Sequence, residues 1–466
     1  MSLSCNLREA HFHNLHSQSN VYGLAKICLR NDVNKLLIAT LRGKVMSMEY
    51  HRQFSRITAR EVHFTYIPGD AEIVSIDAFS RSQQSNAVVV GITFVKNSNN
   101  KPSQFLNIYS DSEPDAEFNL ENIAQGCFNL ELNFIPFQLC HTDLIVDGNR
   151  ETVFLLSGSD CRVHMYREDK VLHIFNQQPS ERIFPEFCDL PSPVIWIEIK
   201  HIDEYKRRLT AMGCQSGYVK LVLVKVESRE VLQTWAVQHD GPVTSVRLFS
   251  LTTDVPVPNF IQSGHSDQES VDEEVTESEP EKKTTYDYNL LVTGALEISV
   301  VYRDVLKSGL SDQMVLGESA DYDSVLCSCI TDIDFDGENE ILLGTYGQEL
   351  LVYKHHPKPP TPQDCSPEAD KTPDTQMKSR LGGQYYLDWQ RSFSYPLLAM
   401  NKLDITHDGL NEVAVVSLNG LHVLQHNLEA VSKLCLERMK ELTRERTKED
   451  AFQQLQSENL DTENDT

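Results

Sequence analysis

Three carboxylates at alternate positions, Asp332, Asp334 and Asp336, are followed by Gly337 and then by Glu340. Alternate acids on a tight loop turn their oxygens toward one point, and the glycine permits the turn. The spacing suits a hard divalent cation, Ca2+ above all. The pattern is not that of an EF-hand, whose loop ends in a bidentate Glu where this chain has Leu343, and the flanking segments read as strands. Two weaker copies exist. Asp404-x-Thr406-x-Asp408-Gly409-x-x-Glu412 has lost one carboxylate, and Asp143-x-Ile145-x-Asp147-Gly148-x-x-Glu151 puts an aliphatic side chain at a ligand position. The same residues also make an ordinary hairpin, with Asp-Gly at the turn and the last acid capping it. Asp332, Asp334, Asp336 and Glu340 are the metal candidates, and both readings stay open.

Other chemistry is scarce. No GxSxG, HExxH, phosphate-binding loop or dinucleotide-binding glycine pattern occurs, so no catalytic residue is assigned and a non-enzyme is expected. The 11 cysteines are scattered, with no CxxC pair, and most lie in apolar strand-like segments. That is the pattern of buried free thiols in a reducing compartment, and it places the chain in the cytoplasm. A formal charge of −26, from 68 acids against 42 bases, repels phosphate backbones, so nucleic acid is not expected as a partner. No apolar run approaches the ~18 residues of a membrane span, and Met1 to Ala10 lacks the apolar stretch of a secretory signal. Ser266-x-x-Glu269 and Ser270-x-x-Glu273 make Ser266 and Ser270 candidate phosphorylation sites for an acid-directed kinase.

The elements that must carry the acidic loops repeat. Each copy reads as an apolar strand, a polar loop, a second apolar strand, a small-residue turn and a third strand that often ends in Tyr. The clearest copies are Val325 to Tyr353, Leu397 to His426 and Pro136 to Tyr166. Weaker ones start at Val21, Ile73, Val194 and Val243, which makes seven. A fourth strand follows in places, as in Gln233 to Gln238 and Asp388 to Phe393. Four antiparallel strands per unit, repeated about an axis, define an all-β fold, a seven-bladed β-propeller, over residues 10–426. The last copy supplies only three strands, and Ala10 to Leu15 is expected to add its outer strand and close the ring. Residues 1–9 form an N-terminal segment. Residues 252–285 read as an acidic disordered insertion and 356–384 as a Pro-rich one. A helix is expected over 427–447, with a disordered tail over 448–466. Leu428, Val431, Cys435, Met439 and Leu442 form one apolar stripe on it. That stripe either folds back on the propeller or lies in a partner's groove.

The Asp-rich loops resemble the calcium loop of the FG-GAP repeat, the blade unit of integrin α-chain propellers. A closer resemblance rests on SQSNVYGLA (Ser17–Ala25), DAEIVSID (Asp70–Asp77), PFQLCH (Pro136–His141), GCQSGYV (Gly213–Val219), TYGQELL (Thr345–Leu351) and PLLAM (Pro396–Met400). These stretches resemble the kaptin family, subunits of the KICSTOR complex. The resemblance implies a scaffold or adaptor that pairs with a second FG-GAP-type propeller subunit and with a large scaffold subunit of KICSTOR. It implies a place on the lysosomal membrane surface, where the assembly helps recruit the GATOR complex to Rag GTPases. TOR complex 1 signalling would thereby be restrained on amino-acid or glucose deprivation. It also implies an alternative, an F-actin-binding protein of lamellipodia and stereocilia. An acidic chain needs a basic patch to meet acidic actin, and the candidates are Lys206, Arg207 and Arg208, and the stretch Arg438 to Lys448.

Overall fold

The computed structural model describes residues 7–29, 34–51, 56–81, 87–98, 101–110, 118–146, 148–252, 287–357 and 383–463. Every repeat forms a four-stranded antiparallel sheet, and there are seven sheets. Their first strands are Leu24–Cys28, Glu72–Ser80, Pro136–Val146, Val194–Ile202, Val243–Ser250, Val325–Thr331 and Leu397–Leu403, in blades 1 to 7. The first strand of each blade lies against that of the next, and the first strand of blade 7 returns to that of blade 1. The result is the expected seven-bladed propeller.

The second strands show why the ring forms. In blade 1 this strand is Asn34–Ala39. Leu36 and Ile38 pack toward blade 7, whereas Leu37 and Ala39 pack toward blade 2. In blade 6, Ile341 and Leu343 face blade 5 while Leu342 faces blade 7. Successive side chains of a strand point to opposite faces, so a strand apolar at every position must be covered on both. Each such side chain gains about 1.5–3 kcal/mol from burial. The described residues form seven apolar clusters, one at each blade–blade interface.

Two polar devices recur. In blades 2 to 7 the first strand shifts register early in its pairing with the second. A bulge frees a backbone N–H, and three blades capture it with a hydroxyl. Thr93, Ser157 and Thr293 accept from the N–H of Ser75, Gln138 and Ser245 at 3.0, 3.1 and 3.1 Å. The tyrosines of the third strands, Tyr109, Tyr166, Tyr302 and Tyr353, are fully buried. Tyr109 donates to the Thr65 carbonyl at 2.5 Å and Tyr353 to that of Gly317 at 2.7 Å, pinning the loops that enter their blades.

Closure comes from the N-terminus. Arg8–Asn14 pairs antiparallel with Gly420–Gln425, from Arg8 opposite Gln425 to Asn14 opposite Gly420. The strand starts two residues before the expected Ala10, and Leu7 is buried between blades 6 and 7. Residues 7–9 therefore belong to the propeller and not to a separate segment. Glu9 also accepts from Arg391 of blade 6 at 2.9 Å.

The two insertions interrupt blade 5 between Ser250 and Tyr288 and blade 6 between His356 and Gln384. Residues 253–286 and 358–382 lie outside the described residues, and Ser266 and Ser270 with them. His356 and Gln384 pair as the last rung of a strand ladder, so the blade 6 strands reach into the span expected as insertion. The C-terminal helix covers Leu428–Glu463, past the expected end at 447. The added stretch lacks Gly and Pro and contains three Glu and three Gln, both good helix formers. Among the described residues no helix is long and apolar enough to cross a membrane.

Removing residues 1–14 should strip blade 7 of its outer strand and lower the melting midpoint by several degrees in a thermal denaturation scan. An unchanged midpoint would refute closure by this strand. Tyr353→Phe should cost about 1 kcal/mol in denaturant unfolding, because the Gly317 carbonyl loses its buried donor.

Candidate functional site

The acidic loops of blades 3, 6 and 7 join the first strand to the second, so all three lie at one end of the ring. In blade 6, both Asp332 oxygens are used by the backbone: Oδ1 accepts from Phe335 N at 2.6 Å and Oδ2 from Gly337 N at 2.9 Å. Asp334 and Asp336 accept from the N–H groups of Asp336 and Glu338 at 3.1 and 2.8 Å. Glu340 Oε2 accepts from Ile333 N at 2.8 Å. Phe335 and Gly337 take left-handed backbone, with φ of 61° and 92°. The blade 7 loop repeats this wrap, with Asp404 accepting from Gly409 N at 2.9 Å and Glu412 from Ile405 N at 2.8 Å. Its left-handed residues are His407 and Gly409.

Asp332, Asp334 and Glu340 bring one oxygen each within 4.8 Å of one another, as do Asp404, Asp408 and Glu412. The remaining oxygens of the blade 6 loop meet a side chain that sequence reading did not single out. Lys354, on the third strand, donates to Asp334 and, at 2.6 Å, to Asp336. Its Nζ also lies 3.5 Å from Glu340 Oε1. Burial pushes the Glu340 carboxyl up to about 8, with Asp334 and Asp332 adding to it against the pull of Ile333 N–H and Lys354. Burial opposes the charge on Lys354, but its bonds to Asp334 and Asp336 win and hold the ammonium well above its ordinary range.

The other two loops find their own donors, one in each case on the third strand of the blade. In blade 7, Gln425 reaches Glu412 Oε1 at 3.1 Å and the Thr406 hydroxyl donates to the same oxygen at 2.6 Å. In blade 3, Glu151 is held by Arg167 at 2.7 Å and by Lys170 at 2.6 Å, while Arg150 takes Asp143 at 2.6 Å. Asp147 lies outside the described residues. The signal available in the sequence was the residue just after the third-strand tyrosine: Lys354 after Tyr353 and Arg167 after Tyr166.

The C-terminal helix starts beside these loops. Arg438 donates to the Phe335 carbonyl. The Phe335 ring packs on His426, with centroids 4.6 Å apart. Burial pushes His426 below the ordinary histidine range, against the opposing pull of bonds from its ring to backbone groups of Asn411 and Ile333. Of the two readings of the apolar stripe, folding back holds for Val431 at most. Leu434 is buried, Ala430 and Val431 are half-buried, and Leu428, Cys435, Met439 and Leu442 are exposed, together with Leu436.

The basic run proposed for actin does not form a patch. Arg208 is buried and makes two bonds to Glu186, at 2.8 and 3.0 Å, while its guanidinium stacks over Phe184 at 4.3 Å. Thr210 donates to the same carboxylate at 3.0 Å. Lys206 and Arg207 pair with Glu204 and Asp203. Along the axis, charges from neighbouring blades meet as pairs: His141 with Asp77 at 2.7 Å and Arg247 with Glu198 at 3.1 Å. All four line a cavity of about 230 Å³.

Arg208→Met would strand the Glu186 carboxylate in the interior, at a cost of about 3–5 kcal/mol. Adding Glu186→Gln should recover part of it. Equal stability of the single variant and the native chain in urea unfolding would contradict a structural role for this run.

Comparison with known proteins agrees with the fold. The crystal structure of BBS1N in complex with ARL6DN, soaked with lead, matches with a TM-score of 0.50 and 9% identity, covering 91% of this chain and 97% of that one. At that identity the likeness concerns the propeller alone. The mouse (Mus musculus) KICSTOR complex protein kaptin is 45% identical over 444 residues, 95% of this chain and 93% of that protein. The family model described as KICSTOR complex protein kaptin matches residues 7–436, from the closing strand to the start of the C-terminal helix, and the chain belongs to that family.

Proposed function

We propose that this chain is a non-enzymatic scaffold subunit of KICSTOR. The observation that carries the reading is the family match, which spans all seven blades and the first turns of the helix. The fold suits the task. A closed ring with seven dry interfaces is a rigid body, and its rims and faces offer several separate docking surfaces. Its partners in this reading are a second FG-GAP-type propeller subunit and the large scaffold subunit. The assembled complex brings GATOR to the Rag GTPases on the lysosomal membrane, and TOR complex 1 is restrained when amino acids or glucose run short. The chain contributes no membrane span among its described residues, so it would reach that surface through its partners.

The exposed side of the C-terminal helix is the element we assign to a partner. Met439 is 59% exposed and Leu436 56%, next to Leu428 and Leu442 on a helix whose other side already meets the propeller. Apolar side chains at this spacing fit a helical groove.

Affinity purification of the tagged full-length chain should bring down the second propeller and the large scaffold subunit. A chain ending at Asn427, or one carrying Met439→Lys and Leu442→Lys, should lose about tenfold or more of that recovery, as expected when interface anchors are replaced by charge. Cells carrying either variant should keep TOR complex 1 substrates phosphorylated during amino-acid withdrawal. Failure of the full-length chain to recover any KICSTOR subunit would overturn the assignment. Unchanged recovery with the helix variants would move the contact to the ring.

A further inference from the structure

We propose that Lys354 is the resident cation of the blade 6 acidic loop. Its ammonium takes the place a divalent ion would take and fixes the loop that the C-terminal helix contacts through Arg438. The spacing of Asp332, Asp334, Asp336 and Glu340 gathers negative oxygens, and these need a positive charge among them. Lys354 supplies it from inside the fold, touching Asp334, Asp336 and Glu340 at once. Only 14% of its side chain is exposed, so the charge is sheltered and does not exchange with solvent ions. Both Asp332 oxygens are already engaged by the backbone, one by Phe335 N and the other by Gly337 N. The sibling loops are also closed by side-chain donors, cationic in blade 3 and neutral in blade 7. Glu151 is answered by Arg167 and Lys170, and Glu412 by Thr406 and Gln425. What was laid out as a metal-binding turn is closed by side chains in each case.

The consequence reaches the helix. Phe335 stands in the middle of the loop, accepts from Arg438 and packs at a tilt against His426. Its position depends on the turn that the carboxylates wrap. The ammonium therefore makes helix anchorage independent of free calcium.

The test uses the full-length chain and calcium chloride as the only added probe. In EDTA, Lys354→Met should melt at least about 5 °C below the native chain and should be cleaved faster by trypsin after Lys440 and Arg444. Millimolar calcium should restore much of both losses, and calorimetry should show calcium binding to this variant. The native chain and Lys354→Arg should show neither a calcium-dependent midpoint nor heat above dilution. Because loss of packing alone also lowers stability, Lys354→Met is paired with Asp334→Asn. Removing the unanswered charge should recover stability without calcium. Calcium binding by the native chain, no loss in EDTA for Lys354→Met, no calcium rescue, or a double variant as unstable as the single one would each overturn the proposal.

Discussion

The structure depends on sheets that are apolar on both faces. A strand such as Asn34–Ala39, with Leu36 and Ile38 on one side and Leu37 and Ala39 on the other, cannot be satisfied by a two-layer sandwich in which one face meets water. Each blade must be covered twice, and a ring is the arrangement in which every blade covers two others and none is left over. Closure is then not a finishing touch. The interface between blades 7 and 1, built from Leu36, Ile38, Met46 and Met48 against Ala414, Val416, Leu421 and Val423, is as apolar as the rest. An open ring would expose both of its halves.

Much of this was legible in the order of residues because the repeat writes the same pattern seven times, and averaging over copies suppresses local ambiguity. The missing fourth strand of the last copy pointed to the N-terminus, and Arg8–Asn14 fills that place. What stayed hidden involves pairs far apart in the chain. Nothing in the run Lys206, Arg207, Arg208 tells that the third member turns inward to Glu186, because alternation along a strand is blind to which face has a buried acid waiting. Lys354 was invisible for the same reason. A lysine within a strand reads as solvated until the register places it beside Glu340. The helix was found from its spacing, which left open whether its apolar stripe folds back or meets a partner. Leu434 and Val431 meet the protein, and Leu428, Cys435, Met439 and Leu442 do not.

The acidic loops and the helix form one local system. Carboxylates wrap the turn, the turn presents Phe335, and Phe335 receives His426 and Arg438. Charges buried in this way seldom add net stability over a well-packed apolar alternative, but they fix a geometry strictly, since any slip leaves a carboxylate unanswered. That trade suits a loop that meets the C-terminal helix at a single fixed point.

The blade shared by the two ends of the polypeptide also dictates the timing of folding. The strand at Arg8–Asn14 emerges from the ribosome first, yet its partner at Gly420–Gln425 is made roughly 400 residues later, about 20–80 s at ordinary translation rates. During that interval six sheets can stack, but the first has a bare flank and the earliest strand has no mate. A nascent chain of this design lives longest in the state most open to mispairing, and its last step converts a sticky arc into an inert disc.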